Sequence, residues 1–158
     1  MISRKEVEAA WDLIKSHVRR TPAIELASGS LGIAAPLALK LESLQLSGSF
    51  KGRGAFHKLL ASKVPAAGIV AASGGNHGAA AAYAARALGH KAEIFVPTIA
   101  SPAKVARLKT YGATVHQIGA VYAEARFSDA ARHSSSWRDD WCTAPNSSST
   151  LGRTLTSL

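Results

Sequence analysis

The sequence has almost no cysteine, few aromatic residues and no long apolar run. Cys142 is the single cysteine of 158 residues, so no disulfide can form within the chain. Neither this cysteine nor the six scattered histidines show the spacing of a metal site. No stretch approaches the roughly 20 apolar residues of a membrane span, and the first residues lack the apolar core of a secretory signal. We therefore expect a cytoplasmic protein with no metal and no membrane partner.

Acidic residues are also scarce: the chain has 10 Asp and Glu but 19 Lys and Arg, which gives a net charge of +9. A basic chain can bind nucleic acid. Here the basic residues are spread along the whole length, and an aromatic content of 6% offers few platforms for stacking bases. Solvated surface charge explains the pattern better, and nucleic-acid binding remains the weaker alternative. The hydrophobic content of 47% is typical of a globular domain with a core.

Helix and strand patterns alternate along the first 120 residues. Ser3 followed by Glu6 predicts a capping box, and the next apolar residues have the spacing of one helix face: Val7, Trp11, Ile14 and Val18. Further helices are predicted at 51–63, at 76–88 and from 102 to 112. Strands are predicted at 36–42, 68–72, 92–97 and 113–118. This alternation predicts an α/β fold, with a parallel sheet and flanking helices.

Two loops of small residues carry side chains suited to chemistry. The lysine loop, residues 47–55, reads Ser-Gly-Ser-Phe-Lys-Gly-Arg-Gly-Ala and contains Lys51. The asparagine loop, residues 73–78, reads Ser-Gly-Gly-Asn-His-Gly and contains Asn76. Each loop follows a strand-like run and opens a helical pattern. We therefore expect both at strand-to-helix turns, where backbone N–H groups face a ligand in front of the sheet.

Lys51 can react with an aldehyde only as a neutral amine. We expect the positive end of the helix and the nearby charge of Arg53 to disfavour its ammonium form. Ser49, Gly52 and Gly54 are expected to let a ligand approach closely. The alternative is that Lys51 is a solvated lysine at a helix start.

The second loop offers donors for an anion. Asn76 could donate to a phenolate oxygen while the backbone holds its own carbonyl. Ser73 and the N–H groups of residues 75–78 could cradle a carboxylate at a helix N-terminus. We expect His77 to pack and to form hydrogen bonds rather than to act as a general base.

From about Arg20 to Gly119 the chain resembles the serine/threonine dehydratase family, which are pyridoxal-phosphate (PLP) enzymes of fold type II. The resemblance lies in motifs that occur in family order: Arg20-Thr21-Pro22, Lys40-Leu41-Glu42, Ser49-Phe50-Lys51 with Arg53-Gly54-Ala55, and Ser73 with Gly75-Asn76-His77. It implies the small domain of such an enzyme plus the N-terminal part of the large one.

The resemblance implies a role for each residue of the two loops. Lys51 would bond covalently to PLP, Phe50 would pack beside the pyridine ring, and Asn76 would bond the phenolic oxygen of the ring. Four residues would hold the substrate carboxylate: Ser73, Gly75, Asn76 and His77. The implied cofactor is therefore pyridoxal 5'-phosphate, and the implied partner is a small amino acid.

The implied reaction is β-elimination of L-threonine or L-serine to a 2-oxo acid and ammonia. Gly74 stands where similar serine racemases carry a serine as a second base, so elimination is favoured over racemisation. Another fold-type II enzyme, such as a threonine synthase or a serine racemase, is the alternative within this chemistry. A non-catalytic α/β remnant, or an anion-binding module whose loops no longer hold PLP, is the alternative outside it. Full-length members of the family are expected to be homo-oligomers.

The chain is expected to divide into three segments. Residues 1–50 would be a helix and strand of an incomplete large domain, and residues 51–125 the small α/β domain. Residues 126–158 hold eight serines against ten in the preceding 125 residues, and we expect this tail to be foreign to the family, as after a loss of reading frame. The family's phosphate-binding glycines and pyridine-nitrogen partner would lie beyond residue 158. A truncated chain is therefore expected, which exposes Trp11, Ile14 and Leu39 in part and retains PLP weakly.

Overall fold

Residues 2–120 are the part of the chain that this computed structural model describes, and the predicted tail from residue 126 lies outside them. They form four helices: α1 (Arg4–Ile14), α2 (Lys51–Ala61), α3 (Asn76–Ala87) and α4 (Pro102–Thr110). The strands among these residues are β1 (Ala23–Leu26), β2 (Leu37–Lys40), β3 (Ile69–Ala72), β4 (Ala92–Val96) and β5 (Thr114–Gln117). Short 3-10 turns lie at Ser30–Gly32 and Glu42–Leu44.

Helix α1 begins with the capping box that its sequence predicts. The Glu6 N–H donates to Ser3 Oγ at 3.3 Å and the Ser3 N–H donates to Glu6 Oε2 at 2.7 Å, so the predicted capping box is confirmed. The helix ends at Ile14, earlier than the predicted stripe, because the His17 N–H bonds the Ile14 carbonyl three residues back and closes a turn.

The packing of α1 corrects one expectation. Ile14 is buried, because α1 lies against α2 and the Ile14 side chain joins the core around Phe56 and Leu59. The prediction that Ile14 is partly exposed is therefore wrong. Trp11 is half-buried and Leu39 is 37% exposed, as expected.

A parallel sheet with the strand order β3-β4-β5 lies at the centre of the fold. Ile69 pairs with Ala92 between β3 and β4, and Ile94 pairs with Val115 between β4 and β5. The helices α3 and α4 connect these strands along the chain. The predicted α/β class is confirmed.

Helix α3 is the most deeply buried helix in residues 2–120, and its buried side chains are nearly all alanine: Ala79, Ala80, Ala81, Ala82, Ala84 and Ala85. Their methyl groups let α3 pack closely against α2 and against the sheet. The helix ends before Gly89, whose φ of 76° suits only glycine well.

The strands β1 and β2 form a separate antiparallel pair, in which Ala23 faces Lys40 and Leu26 faces Leu37. The sequence analysis did not predict β1 and expected a single parallel sheet. The lysine loop therefore does not follow a strand of the parallel sheet. A 3-10 turn and residues 45–50 separate β2 from α2.

None of the helices within residues 2–120 is long and apolar enough to cross a membrane.

Candidate active site

Lys51 is the first residue of α2 and follows a chain of tight turns. The Gly48 N–H donates to the Gln45 carbonyl at 2.7 Å, and the Arg53 N–H donates to the Phe50 carbonyl at 3.1 Å. Lys51 is half-buried and its Nζ lies 5.9 Å from the ring centroid of Phe50, which is 41% exposed. The amine thus sits at an uncapped helix N-terminus beside an accessible aromatic ring.

Two serine hydroxyls are buried next to Lys51. Ser47 and Ser49 are 0% and 6% exposed, and neither Oγ atom has a hydrogen-bond partner among the described residues. A Cβ at position 52 would lie 2.9 Å from Ser47 Oγ, so Gly52 is needed for the packing of Ser47. A buried hydroxyl without a partner costs about 1–3 kcal/mol. Contact with a polar ligand would remove that cost.

Arg53 forms an ion pair with Glu42. Its guanidinium binds both carboxylate oxygens of Glu42, with Nη2 to Oε1 at 2.7 Å and Nε to Oε2 at 2.9 Å. The Thr21 hydroxyl also donates to Glu42 Oε1, at 2.5 Å. The positive charge that was expected to act on Lys51, beside the helix N-terminus, is thus balanced by the carboxylate of Glu42.

The same contacts lower the pKa of the Glu42 carboxyl group. Burial raises its pKa, but hydrogen bonds from Arg53 and Thr21, together with the charges of Arg53 and Lys40, outweigh burial and hold the pKa below the ordinary 4.5. Glu42 is therefore ionised at neutral pH and ties the Thr21, Lys40 and Arg53 motifs to the start of α2. These contacts bring together three segments that lie apart in sequence.

The asparagine loop begins after β3 and ends in the first turn of α3. The Gly75 N–H donates to Ser73 Oγ at 3.3 Å. No side chain caps α3, so the first N–H groups of the helix point toward the front of the loop, where an anion can bind. Asn76 is exposed and its side chain forms no hydrogen bond with residues 2–120, so the expected backbone hold on its carbonyl is absent there.

Gly78 has a role that the sequence analysis missed. A Cβ at this position would lie 1.8 Å from the Ser73 carbonyl oxygen and 2.9 Å from the Ser73 carbonyl carbon. Real side chains never approach backbone so closely, so only glycine fits. Gly78 thus allows the first turn of α3 to lie directly on the end of β3. A glycine inside the first turn of an alanine-rich helix was the available signal.

His77 connects the two loops electrostatically. Burial, and to a smaller extent the charge of Lys51, together lower the pKa of His77 from 6.5 to about 4. His77 is consequently neutral at pH 7. The influence of Lys51 requires the lysine loop and the asparagine loop to lie close together, as the packing of α2 against α3 provides. This supports a packing and hydrogen-bonding role for His77.

The stability of the protein should depend on pH through His77. Its folded pKa of about 4 lies below the ordinary 6.5, so between these values the unfolded chain binds more protons. The free energy of unfolding should therefore fall by an amount on the order of 2 kcal/mol as the pH drops from 6.5 to 4. Urea titrations at several pH values measure this.

The matched variants for this test are His77→Asn and His57→Asn, since His57 is exposed. We expect His77→Asn to flatten the slope in this pH window, whereas His57→Asn keeps it. Equal slopes for the parent chain and His77→Asn would contradict the prediction. Glu42, whose pKa lies below its ordinary value of 4.5, loses its contribution to the free energy of unfolding only as the pH falls below about 4.5. The loss from His77 already begins near pH 6.5, so the two effects start at different pH values.

Comparison with known proteins decides the family. The family model described as "Pyridoxal-phosphate dependent enzyme" matches residues 14–152. The chain belongs to this family. The matched residues contain both loops and reach into the serine-rich segment, whose structure lies outside the described residues.

Individual relatives are similar over most of the chain. It is 40% identical over 129 residues to the catabolic L-threonine dehydratase TdcB of Staphylococcus aureus (strain USA300), covering 80% of this chain and 37% of that protein. Among solved structures, the T.th. threonine deaminase matches with 39% identity and a TM-score of 0.70, over 83% of this chain and 41% of that one. Maize serine racemase matches with 33% identity and a TM-score of 0.69, over 77% and 37% respectively.

These comparisons show the fold of a fold-type II PLP enzyme and a family that uses PLP. The chain spans about a third of the length of the curated relatives that it matches.

Proposed function

We propose that this chain carries the cofactor lysine and the substrate-binding loop of a PLP-dependent threonine/serine dehydratase. The observation that carries the proposal is the packing of α2, which opens with Lys51, against α3, which opens with Asn76 and His77, with Lys51 close enough for its charge to lower the pKa of His77. Both helices have no side-chain cap, so each start also offers backbone N–H groups to a ligand. The similarity to threonine dehydratases supports the same conclusion.

The groups present suit PLP. Lys51 supplies the amine that the aldehyde of PLP needs, and Phe50 supplies an exposed ring beside that amine. Asn76 presents an amide that can donate to the phenolic oxygen. The hydroxyls of Ser47 and Ser49 are polar groups still without a partner in residues 2–120. We propose Phe50, Lys51 and Asn76 as the cofactor-binding residues in this part of the chain.

The reaction would proceed through proton transfer by Lys51. When bound, PLP supplies an electron sink that stabilises negative charge at the Cα atom of an amino acid. The Nζ atom of Lys51, as the free amine, takes the Cα proton. The β-hydroxyl then takes up a proton and leaves as water, and hydrolysis of the resulting aminoacrylate yields a 2-oxo acid and ammonia. Lys51 is thus proposed as the catalytic base.

The asparagine loop would orient the substrate. The N–H groups at the start of α3, with Ser73, Gly75, Asn76 and His77, would hold the substrate carboxylate. His77 stays neutral through its lowered pKa and therefore adds no competing charge beside Lys51. Because its pKa is about 4, it is a weak proton acceptor at pH 7. This supports a role in orientation.

The substrate is proposed to be L-threonine or L-serine, undergoing elimination. Gly74 has no side chain, so it cannot deliver a proton to the face of Cα opposite Lys51. Serine racemases are also among the structural neighbours, with identities of 30% and 33%, so racemisation is the second candidate. Chiral analysis of recovered serine separates the two reactions, because elimination yields no D-serine.

We further propose the wider setting of the protein on the resemblance. Residues 51–125 would form the small domain, residues 1–50 part of a large domain, and residues 126–158 a serine-rich tail. The partner would be a small amino acid. The full-length enzyme would be a cytoplasmic homo-oligomer that binds neither membrane nor nucleic acid. A steep salt dependence of binding to DNA or RNA would contradict the last point.

The lysine assignment is tested by trapping PLP on the chain. The protein is incubated with limiting PLP, reduced with borohydride and mapped by peptide mass spectrometry. We expect the label to concentrate on Lys51 ahead of exposed lysines such as Lys5, Lys63 and Lys104. A label spread evenly over these lysines would contradict the site and leave the anion-binding remnant as the better description.

A further inference from the structure

We propose that Arg107 of α4 is a positioning residue that holds the lysine loop in place. Its Nη2 atom donates a hydrogen bond to the Ser47 carbonyl oxygen at 2.5 Å, across 60 positions of sequence. Ser47 is fully buried and lies four residues before Lys51. The loop that leads to Lys51 is therefore tied directly to the helix between β4 and β5.

The backbone of the loop lies against the guanidinium. Gly48 has a φ of 72°, and a Cβ built on it would lie 3.3 Å from Arg107 Nη2. The Gly48 N–H also closes the turn with the Gln45 carbonyl at 2.7 Å. Arg107 thus holds the carbonyl on one side of this turn and packs on the residue that completes it. Release of the Ser47 carbonyl would free the turn to open and let Lys51 move.

A row of aromatic rings fixes the guanidinium itself. The Cζ atom of Arg107 lies 5.8 Å from the ring centroid of Tyr111. Tyr111 meets the ring of Tyr83 edge-on at 5.3 Å, and Tyr83 meets Phe56 edge-on at 6.3 Å. These rings come from the end of α4, from α3 and from α2. Arg107 is therefore linked, through these rings, to the core between α2 and α3.

A second arginine provides a matched control. Arg86 Nη1 donates to the Thr110 carbonyl at 2.8 Å, which is also a bond between a guanidinium and a backbone carbonyl, but at the end of α4. Arg86→Met and Arg107→Met each remove one such bond. Arg107→Lys keeps a cationic donor. A purely structural role predicts similar behaviour of the two methionine variants, whereas a positioning role predicts a local effect at the lysine loop only for Arg107.

The first measurement uses no cofactor. Hydrogen exchange of the whole chain follows the amides of residues 48–53 in the parent chain and in the three variants. We expect exchange in this segment to rise about tenfold in Arg107→Met and to stay at the parent level in Arg86→Met. Arg107→Lys should restore part of the protection. Unchanged exchange in Arg107→Met would overturn the proposal.

The second measurement rests on the proposed function and uses PLP with borohydride. The ratio of the label on Lys51 to that on exposed lysines should fall about five- to tenfold in Arg107→Met, remain unchanged in Arg86→Met and recover in part in Arg107→Lys. An unchanged ratio in Arg107→Met would overturn the positioning role. If the parent chain itself shows no preference for Lys51, the proposed function fails, and the exchange experiment still decides whether Arg107 holds the loop.

Discussion

Replacing Lys51 with alanine is expected to abolish the PLP label that borohydride traps in the first turn of α2. The amine of Lys51 is the group that bonds the aldehyde, and no other lysine stands at the N-terminus of α2. Any threonine deamination by the protein should fall by about 10²–10⁴-fold or more, because the same amine is the proposed base. Peptide mapping and an assay of 2-oxo acid formation measure the two effects.

The control for this variant is Lys63→Ala, which removes an exposed lysine after the end of α2. It should leave both the label on Lys51 and any deamination unchanged. Both variants should melt close to the parent chain, since neither lysine forms an ion pair within residues 2–120. A full label in Lys51→Ala would show that another lysine carries the cofactor.

Replacing Gly78 with alanine is expected to disrupt the asparagine loop and much of the fold. The added Cβ would lie 1.8 Å from the Ser73 carbonyl oxygen, which is backbone and cannot rotate away. Either the end of β3 or the first turn of α3 must move, and α3 is buried along almost its whole length. We expect a loss of about 3 kcal/mol or more in the free energy of unfolding. Urea or thermal unfolding measures this loss.

Gly54→Ala is the matched control for Gly78→Ala. Gly54 also lies in the early part of a helix, but a Cβ built on it meets no atom within 4 Å. Because alanine favours helix more than glycine, this change should stabilise the protein by about 0.5–1 kcal/mol. Equal and small effects of both substitutions would contradict the close approach between α3 and the Ser73 carbonyl.

The candidate site was only partly predictable from the residues. The sequence identified the lysine loop and the asparagine loop, because glycine, serine and an isolated lysine or asparagine at a helix start are local patterns. It did not indicate the ion pair of Arg53, since the Glu42 and Thr21 groups that bind Arg53 lie 11 and 32 positions away. It also missed Arg107, because nothing in the local pattern of α4 indicates a contact with Ser47.

The sequence by itself determined the elements whose causes are local. The Ser3–Glu6 capping box, the Gly89 helix end and the apolar strand runs act within a few residues, so they could be recognised without a partner. The positions of β3, β4 and β5 follow from such runs and agree closely with the predicted bounds.

The tertiary structure decided which distant groups meet. It paired β1 with β2 outside the parallel sheet, buried Ile14 against α2, and brought the charge of Lys51 close enough to lower the pKa of His77. The physical reason is that such contacts depend on how helices and strands pack in three dimensions. The residues near one partner in the sequence do not indicate which distant residue it will contact.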